Sequence, residues 1–246
     1  DISTTGTSVG VVGDDTEHNI TLPGFTFDGV TYNDARVGMN GALVFGATAG
    51  EVALGNLAIP TTGITAGNVF LAPWWDDLDI QGGASILTET VGNTFIVQWN
   101  NVAHNAVTAG TNNITFQIQL DLVTGAVYFV YPDVLWGDVT YDAAANATVG
   151  VQFSSTSAAQ YSLNTASLTN GQVISFTPAT LTGYSWSPST YLDDPTIANP
   201  LASFMTTTET YTVSVSASNG CSTTGSVTVN VNAPTPPSVS IAAGGP

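Results

Sequence analysis

Positive charge is almost absent from this sequence. Arg36 is the one basic side chain, there is no lysine, and 18 acidic residues bring the net charge to -17. Such a chain cannot neutralise phosphates, which excludes nucleic-acid binding and disfavours anionic membrane surfaces. Without lysine there is also no Schiff-base chemistry, no P-loop and no Lys–Asn isopeptide crosslink.

Cysteine and long apolar runs are equally scarce. Cys221 is the single cysteine, so no internal disulfide can form. No apolar run approaches the roughly 18 residues of a membrane-spanning helix, so membrane insertion is not expected. The chain begins at Asp1 without methionine, as a mature product does after removal of a signal peptide. We therefore expect a secreted protein, located outside the cell or on its surface.

The residues that are abundant favour β-structure. Charged residues make up only 8% of the chain, while it contains 37 Thr and 20 Ser. Alternating β-formers recur between Gly, Asn and Asp turns, and residues 86–91 with 95–102 and 116–120 with 127–131 form predicted hairpins. The sequence predicts an all-β fold built as an antiparallel β-sandwich.

A set of motifs in residues 15–178 resembles the nidogen-like β-sandwich domain of secreted and surface proteins. In chain order they are VGMNGALVFG at 37–46, LAPWWDDLD at 71–79, FIVQWNNV at 95–102, ITFQIQL at 114–120 and ATVGVQ at 147–152. This resemblance implies a nidogen-like domain over residues 1–178, with an N-terminal extension.

Residues 179–233 resemble the Ig/PKD-like modules common in secreted proteins of Bacteroidetes-type bacteria. The matching motifs are YSWSP at 184–188, LDDPTIANP at 192–200, TYTV at 210–213 and NGCS at 219–222. The resemblance implies a role in adhesion, gliding or surface architecture. Residues 234–246 form a proline-rich linker and a strand-like tail.

This module departs from the pattern of the family that it resembles. Two strands normally precede the YSWSP strand, often with a cysteine that pairs with the one at Cys221, but residues 179–183 leave no room for them. In one interpretation, residues 173–177 belong partly to this module and the tail begins a further module. In the other, a strand from a neighbouring subunit completes an incomplete Ig-like β-sandwich. The predicted donor residues are Val239, Ile241 and Ala242; residues 4–12 and 173–177 are other candidates.

Three acidic motifs are candidate Ca²⁺ sites, because Ca²⁺ prefers oxygen ligands. The strongest has three carboxylates within four residues, although these aspartates could instead cap a strand end. The other two are expected to be mainly solvated loops. In order, the motifs are Asp76, Asp77 and Asp79; then Asp14, Asp15 and Glu17; then Asp193 and Asp194.

Tryptophans and sequons supply further candidate sites. Trp75 and Trp136 are predicted as exposed platforms on which a glycan could stack, whereas Trp99 and Trp186 are expected in the core. Asn19, Asn113 and Asn146 each begin an N-glycosylation sequon. The two histidines have no evident Cys or His companion, which argues against zinc.

The sequence favours a structural role over catalysis, since no nucleophile motif is present. Our first hypothesis is an extracellular subunit that assembles with copies of itself into a filament, requiring no cofactor. The alternative is a monomeric cell-surface adhesin that binds a glycan or another surface protein, with Ca²⁺ as a possible ligand.

Overall fold

The computed structural model describes residues 1–10, 13–46, 55–62, 69–106, 112–218 and 220–232. The chain divides into two compact units, Asp1–Pro178 and Ala179–Pro246. The predicted donor residues Val239, Ile241 and Ala242 lie outside the described residues. Among the residues that the structure describes, the only helical element is a single 3₁₀ turn at Asp142–Ala144. The predicted all-β fold is therefore confirmed.

The strands of the first unit are all short or of moderate length. In chain order they are β1 (Thr7–Ser8), β2 (Gly13–Asp14), β3 (Glu17–Phe27), β4 (Val30–Gly38), β5 (Leu43–Phe45), β6 (Phe70–Trp75), β7 (Leu78–Ile80), β8 (Ser85–Val91), β9 (Thr94–His104), β10 (Ile114–Asp121), β11 (Val127–Asp133), β12 (Thr148–Ser154), β13 (Ser157–Leu163) and β14 (Gln172–Phe176).

These strands form two antiparallel sheets. One has the order β1-β8-β9-β10-β11-β14, with β7 also pairing with β9 and with β2; the other has the order β13-β12-β6-β5-β4-β3. Both predicted hairpins are confirmed, as β8 with β9 and β10 with β11. The two sheets enclose a large apolar core to which nearly every strand contributes, as expected of a β-sandwich.

Hydrogen bonds from aromatic side chains tie one sheet to the other across this core. Trp99 on β9 donates from Nε1 to the carbonyl oxygen of Gly38 on β4 at 3.0 Å. The hydroxyl of Tyr131 on β11 donates to the carbonyl oxygen of Pro73 on β6 at 2.8 Å. Both side chains are fully buried, so their polar atoms need these partners. The first bond holds β9 to β4, and the second holds β11 to β6, the strand that precedes the acidic segment.

The expected exposure of Trp75 and Trp136 is wrong. All six residues of β6 are buried, because Ile59 packs on its outer side in a cluster with Phe70 and Trp75. Trp136 is 1% exposed, and its Nε1 donates to the carbonyl oxygen of Val102 at 3.0 Å. Neither indole offers a face for stacking a glycan.

Two of the candidate donor segments are already used within the first unit. In β14, Val173 pairs with Val130 and Phe176 pairs with Val127, so the expectation that residues 173–177 belong partly to the second unit is wrong. In β1, Thr7 pairs with Thr88 of β8. Neither segment is free to act as a donor in this conformation.

The second unit contains one three-stranded antiparallel sheet, of order β15-β16-β17. Its strands are β15 (Leu181–Ser187), β16 (Glu209–Ala217) and β17 (Ser222–Val229). Trp186 pairs with Val213, and Tyr211 pairs with Val227. Because side chains alternate along a strand, one face carries aromatic and valine side chains and the other carries Ser and Thr.

Candidate functional site

A two-residue strand brings two of the acidic motifs together. β2 pairs with β7 so that Asp14 lies opposite Asp79. One carboxylate oxygen from each of Asp14, Asp15 and Asp77 lies within 4.8 Å of the others. We call Asp14, Asp15, Asp77 and Asp79 the carboxylate cluster. The sequence alone assigns these residues to two separate candidate sites, which the fold joins into one.

The carboxylate cluster contains oxygens that have neither water access nor a protein donor. Oδ1 of Asp14, of Asp77 and of Asp79 is buried and has no hydrogen-bond partner in the described part of the chain. Burial, followed by repulsion from Asp15, Asp77 and Asp79, raises the pKa of Asp14 above its ordinary value. Buried, unpaired carboxylate oxygens are unfavourable. A divalent cation with oxygen coordination would satisfy them.

Amide side chains position the carboxylate cluster. The buried Asn40 donates from Nδ2 to Oδ1 of Asp15 at 3.0 Å, while its Oδ1 accepts from the backbone N–H of Leu78 at 3.1 Å. Asn105 donates from Nδ2 to Oδ2 of Asp77 at 3.2 Å. Sequence reasoning missed both asparagines as site residues, because a single amide side chain gives no signal of which carboxylate it will contact.

Asp76 does not share the environment of Asp77 and Asp79, with which the sequence grouped it. It is 3% exposed, and its Oδ2 lies 3.2 Å from Nε2 of the equally buried His104. Nδ1 of His104 accepts a hydrogen bond from the backbone N–H of Ala106, so Nε2 carries the ring proton and donates a hydrogen bond to Oδ2 of Asp76. The predicted ligand set is therefore corrected, because Asp76 is engaged in a structural pair.

The remaining acidic candidates also have protein partners. Glu17 forms an ion pair with Arg36 at 2.5 Å. Asp193 accepts from the backbone N–H of Leu201 at 2.7 Å. Hydrogen bonds from Thr196 lower the pKa of Asp194, which shows an ordinary loop-stabilising role for that carboxylate.

The three sequon asparagines differ in exposure. Asn19 and Asn146 are exposed, and Asn113 is half-buried. Thr148, the third residue of the Asn146 sequon, is buried, and its hydroxyl donates to the carbonyl oxygen of Leu57 at 2.8 Å. Asn19 is thus the most accessible glycosylation candidate, and modification stays a prediction.

A second candidate surface is the apolar side of the β15-β16-β17 sheet. We define the apolar face as Trp186, Tyr211, Val213, Val227 and Val229, which share one side of the sheet by register. Part of this face, with the loop that carries Leu192 and Pro200, lines a groove of about 230 Å³. All lining residues are uncharged.

The apolar face is only partly covered by the described residues, since Tyr211 is buried, Val227 is exposed, and the other three side chains are half-buried. Among the described residues of the second unit, Tyr211 is the only buried hydrophobic side chain. Nearby in the chain, Leu201 is 65% exposed, Phe204 is 94% exposed and Val227 is 48% exposed. A soluble β-sandwich normally covers such a face with a second sheet.

The fold and the motif order define a nidogen-like β-sandwich protein. A protein-family model described as NIDO related matches residues 1–188. This is well over half of the chain, and the chain therefore belongs to the NIDO-related family. No curated protein and no solved structure matches it. The structure shows, in its described part, no helix long and apolar enough to cross a membrane.

Proposed function

We propose that this protein is a secreted structural subunit that assembles with copies of itself into an extracellular filament by strand donation. The observation that carries the proposal is the apolar face of the second unit, which the described residues cover only in part. Its three strands resemble part of an Ig/PKD-like module, and the described residues of this unit form no further strands. A neighbouring copy would supply the covering that the described residues do not provide.

The tail is the donor that remains after the other two candidate segments are assigned. β1 and β14 are paired within the first unit. Val239 and Ile241 alternate with serines, so an extended tail has one apolar edge and one polar edge. A non-closing contact of this kind, repeated from copy to copy, produces an open filament.

Charge distribution also supports contact through the second unit. Of the 18 acidic residues, three lie in this unit, namely Asp193, Asp194 and Glu209. Repulsion between copies is therefore concentrated on the first unit. Close approach through the second unit brings few like charges together.

Removal of the tail is expected to abolish filaments. The measurement is negative-stain electron microscopy of the full chain beside a chain ending at Val231, at equal concentration. Filaments from the full chain alone support the tail as donor. Filaments from both chains would move assembly to another segment, and monomers from both would reject the filament proposal.

The carboxylate cluster supports a second candidate function, a monomeric surface adhesin that holds Ca²⁺. The three buried, unpartnered Oδ1 atoms favour a bound cation. Here Ca²⁺ would rigidify the β2-β7 edge, beside which a glycan or another surface protein could bind. Mg²⁺ is a poorer fit, because it requires a stricter octahedral geometry.

Calcium is expected to stabilise the chelator-treated protein against heat. At a free Ca²⁺ concentration 100 times the Kd, binding contributes about 2.7 kcal/mol, which corresponds to a rise in Tm of roughly 5 to 10 °C for a domain of this size. Calorimetry with Ca²⁺, with Mg²⁺ and with chelator alone would measure it. An unchanged Tm in millimolar Ca²⁺ would rule out a functional site there.

A further inference from the structure

We infer that the outer edge of β17 is the acceptor, to which residues 238–242 of a second copy add as a fourth strand. This inference rests on the proposed function. It extends that function by naming the acceptor edge and by stating which side of the tail continues which face of the sheet. It follows from the chemistry of that edge, from the alternation of the two strands and from the position of Gly225.

The outer edge of β17 has none of the features that usually protect an edge strand. β17 reads STTGSVTV, without charge and without proline, and all its residues but the last are exposed. It is the end strand of its sheet, and no described residue is paired with its outer side. Edges of this composition readily accept another strand unless they are blocked.

The opposite edge of the same sheet is partly blocked. The backbone N–H of Trp186 on β15 donates to the carbonyl oxygen of Pro195 at 2.8 Å. The segment after β15 thus occupies a donor that an added strand would need. Of the two edges, β17 is the one that can extend the ladder.

The two faces of β17 match the two faces of the tail. Val227 and Val229 belong to the apolar face, whereas Ser226 and Thr228 point to the Ser/Thr face. A strand added in the plane of a sheet presents alternate residues to the same two faces. It would place Val239 and Ile241 beside the valines of β17, and the tail serines beside its hydroxyl groups.

Gly225 leaves space on the apolar face where an added strand would pass. It lies opposite Val213 in the ladder. A Cβ atom at position 225 would meet only Cγ1 of Val213, at 3.7 Å. Glycine inside a strand weakens it and often marks close approach by another chain segment. The open space can take a larger side chain from the donor.

The linker favours pairing with a second copy over pairing within the chain. Pro234, Pro236 and Pro237 lie between β17 and the tail. Proline-rich linkers are semi-rigid and extend by about 3.1 Å per residue. An extended linker of this kind would direct the tail away from β17, the strand that precedes it. The tail and the groove lining are both uncharged, so no charge has to be buried in the contact.

Two full-length variants separate donor from acceptor. Val227→Lys puts a charge beside the acceptor edge, and Ile241→Asp puts one on the apolar side of the donor. We expect each substitution to abolish filaments and each variant to sediment as a 25.2 kDa monomer.

Two matched controls are expected to keep polymerising. Val139→Lys places the same charge at a valine of the first unit that is 89% exposed. Ser240→Asp places the same charge on the polar side of the tail. Circular dichroism and Tm confirm that the variants are folded.

Mixing the two defective variants tests whether the contact joins two molecules. The Ile241→Asp variant retains its acceptor edge, and the Val227→Lys variant retains its donor tail. The mixture should therefore form dimers of twice the monomer mass, which cannot grow because their remaining tail and edge are both defective. A mixture that stays monomeric would overturn the inference, because the intact tail of one variant would then have failed to bind the intact β17 edge of the other. Filaments from Val227→Lys alongside monomers from Ile241→Asp would overturn the acceptor edge alone and leave tail donation standing. A wild-type chain that never polymerises would reject the proposed function itself.

Discussion

Replacing Gly41 with alanine is expected to destabilise the first unit by about 3 to 5 kcal/mol, as the most disruptive point substitutions do. A Cβ atom there would lie 1.8 Å from the carbonyl oxygen of Trp74 and 3.0 Å from Cδ1 of Leu78, and φ is +73°. The nearest obstacle is backbone, which cannot turn aside as a flexible side chain can. Urea unfolding followed by tryptophan fluorescence would measure the loss.

Gly92→Ala is the matched control for this change. Gly92 also has a positive φ, +59°, but nothing lies within 4 Å of its Cβ position. Its substitution should cost about 1 kcal/mol, from the left-handed backbone alone. Equal losses for the two variants would contradict the close approach of Gly41 to β6.

The consequence of Gly41→Ala extends to the carboxylate cluster. Asn40 precedes Gly41, accepts from the backbone N–H of Asp76 at its carbonyl oxygen, and holds both Asp15 and Leu78 through its side chain. A shift of the turn would move all of these contacts together. We therefore expect this variant to lose any calcium response along with its stability.

The strand pattern of this fold was predictable because alternation persists over long segments. Residues 95–102 and 116–120 are long runs of β-formers next to turn residues, so their hairpin partners followed from the sequence. The NIDO-related family was recognisable from motifs spread along the same strands. The sequence of each hairpin was enough to predict its pairing, because its two strands are consecutive in the chain.

The carboxylate cluster was not predictable from the same evidence. β2 has only two residues, Gly13 and Asp14, and a strand this short has no periodicity to detect. Its pairing with β7 joins segments that are distant in the chain. The acidic motifs were visible, but nothing local indicated that Asp14 faces Asp79.

Trp75 and Trp136 were wrongly predicted to be exposed because residues distant in the sequence cover them. Alternation predicts which side of a strand faces the core, but it does not predict that a loop will cover the other side. Ile59 covers the outer side of β6 at Trp75. Trp136 follows the end of a strand and packs against Trp74, with 5.1 Å between the ring centroids. In both cases contacts distant in sequence decide the exposure.

Asp14→Asn is expected to change stability with opposite signs in the absence and presence of calcium. The folded-state pKa of Asp14 is raised by burial and by neighbouring carboxylates. A pKa that is higher in the folded than in the unfolded state means that the ionised carboxylate opposes folding, so the amide should raise the Tm of the calcium-free protein. The same change removes a ligand, so the Ca²⁺-dependent rise in Tm should shrink.

Asp121→Asn is the control for this sign reversal. Hydrogen bonds from Thr124 and Val123 lower the pKa of Asp121 in the folded state, so its charge favours folding above the ordinary pKa and that contribution is lost on acidification. Its amide variant should lower the calcium-free Tm slightly and keep the full calcium response.

If Asp14→Asn instead destabilises the calcium-free protein and keeps the calcium response, the Asp14 carboxylate has a protein partner. The proposal of a calcium-dependent adhesin then loses its structural basis. If the predicted reversal is found while filaments still require the tail, the two units have separate tasks: the first binds a cation at an acidic edge and the second joins copies through a nearly neutral one.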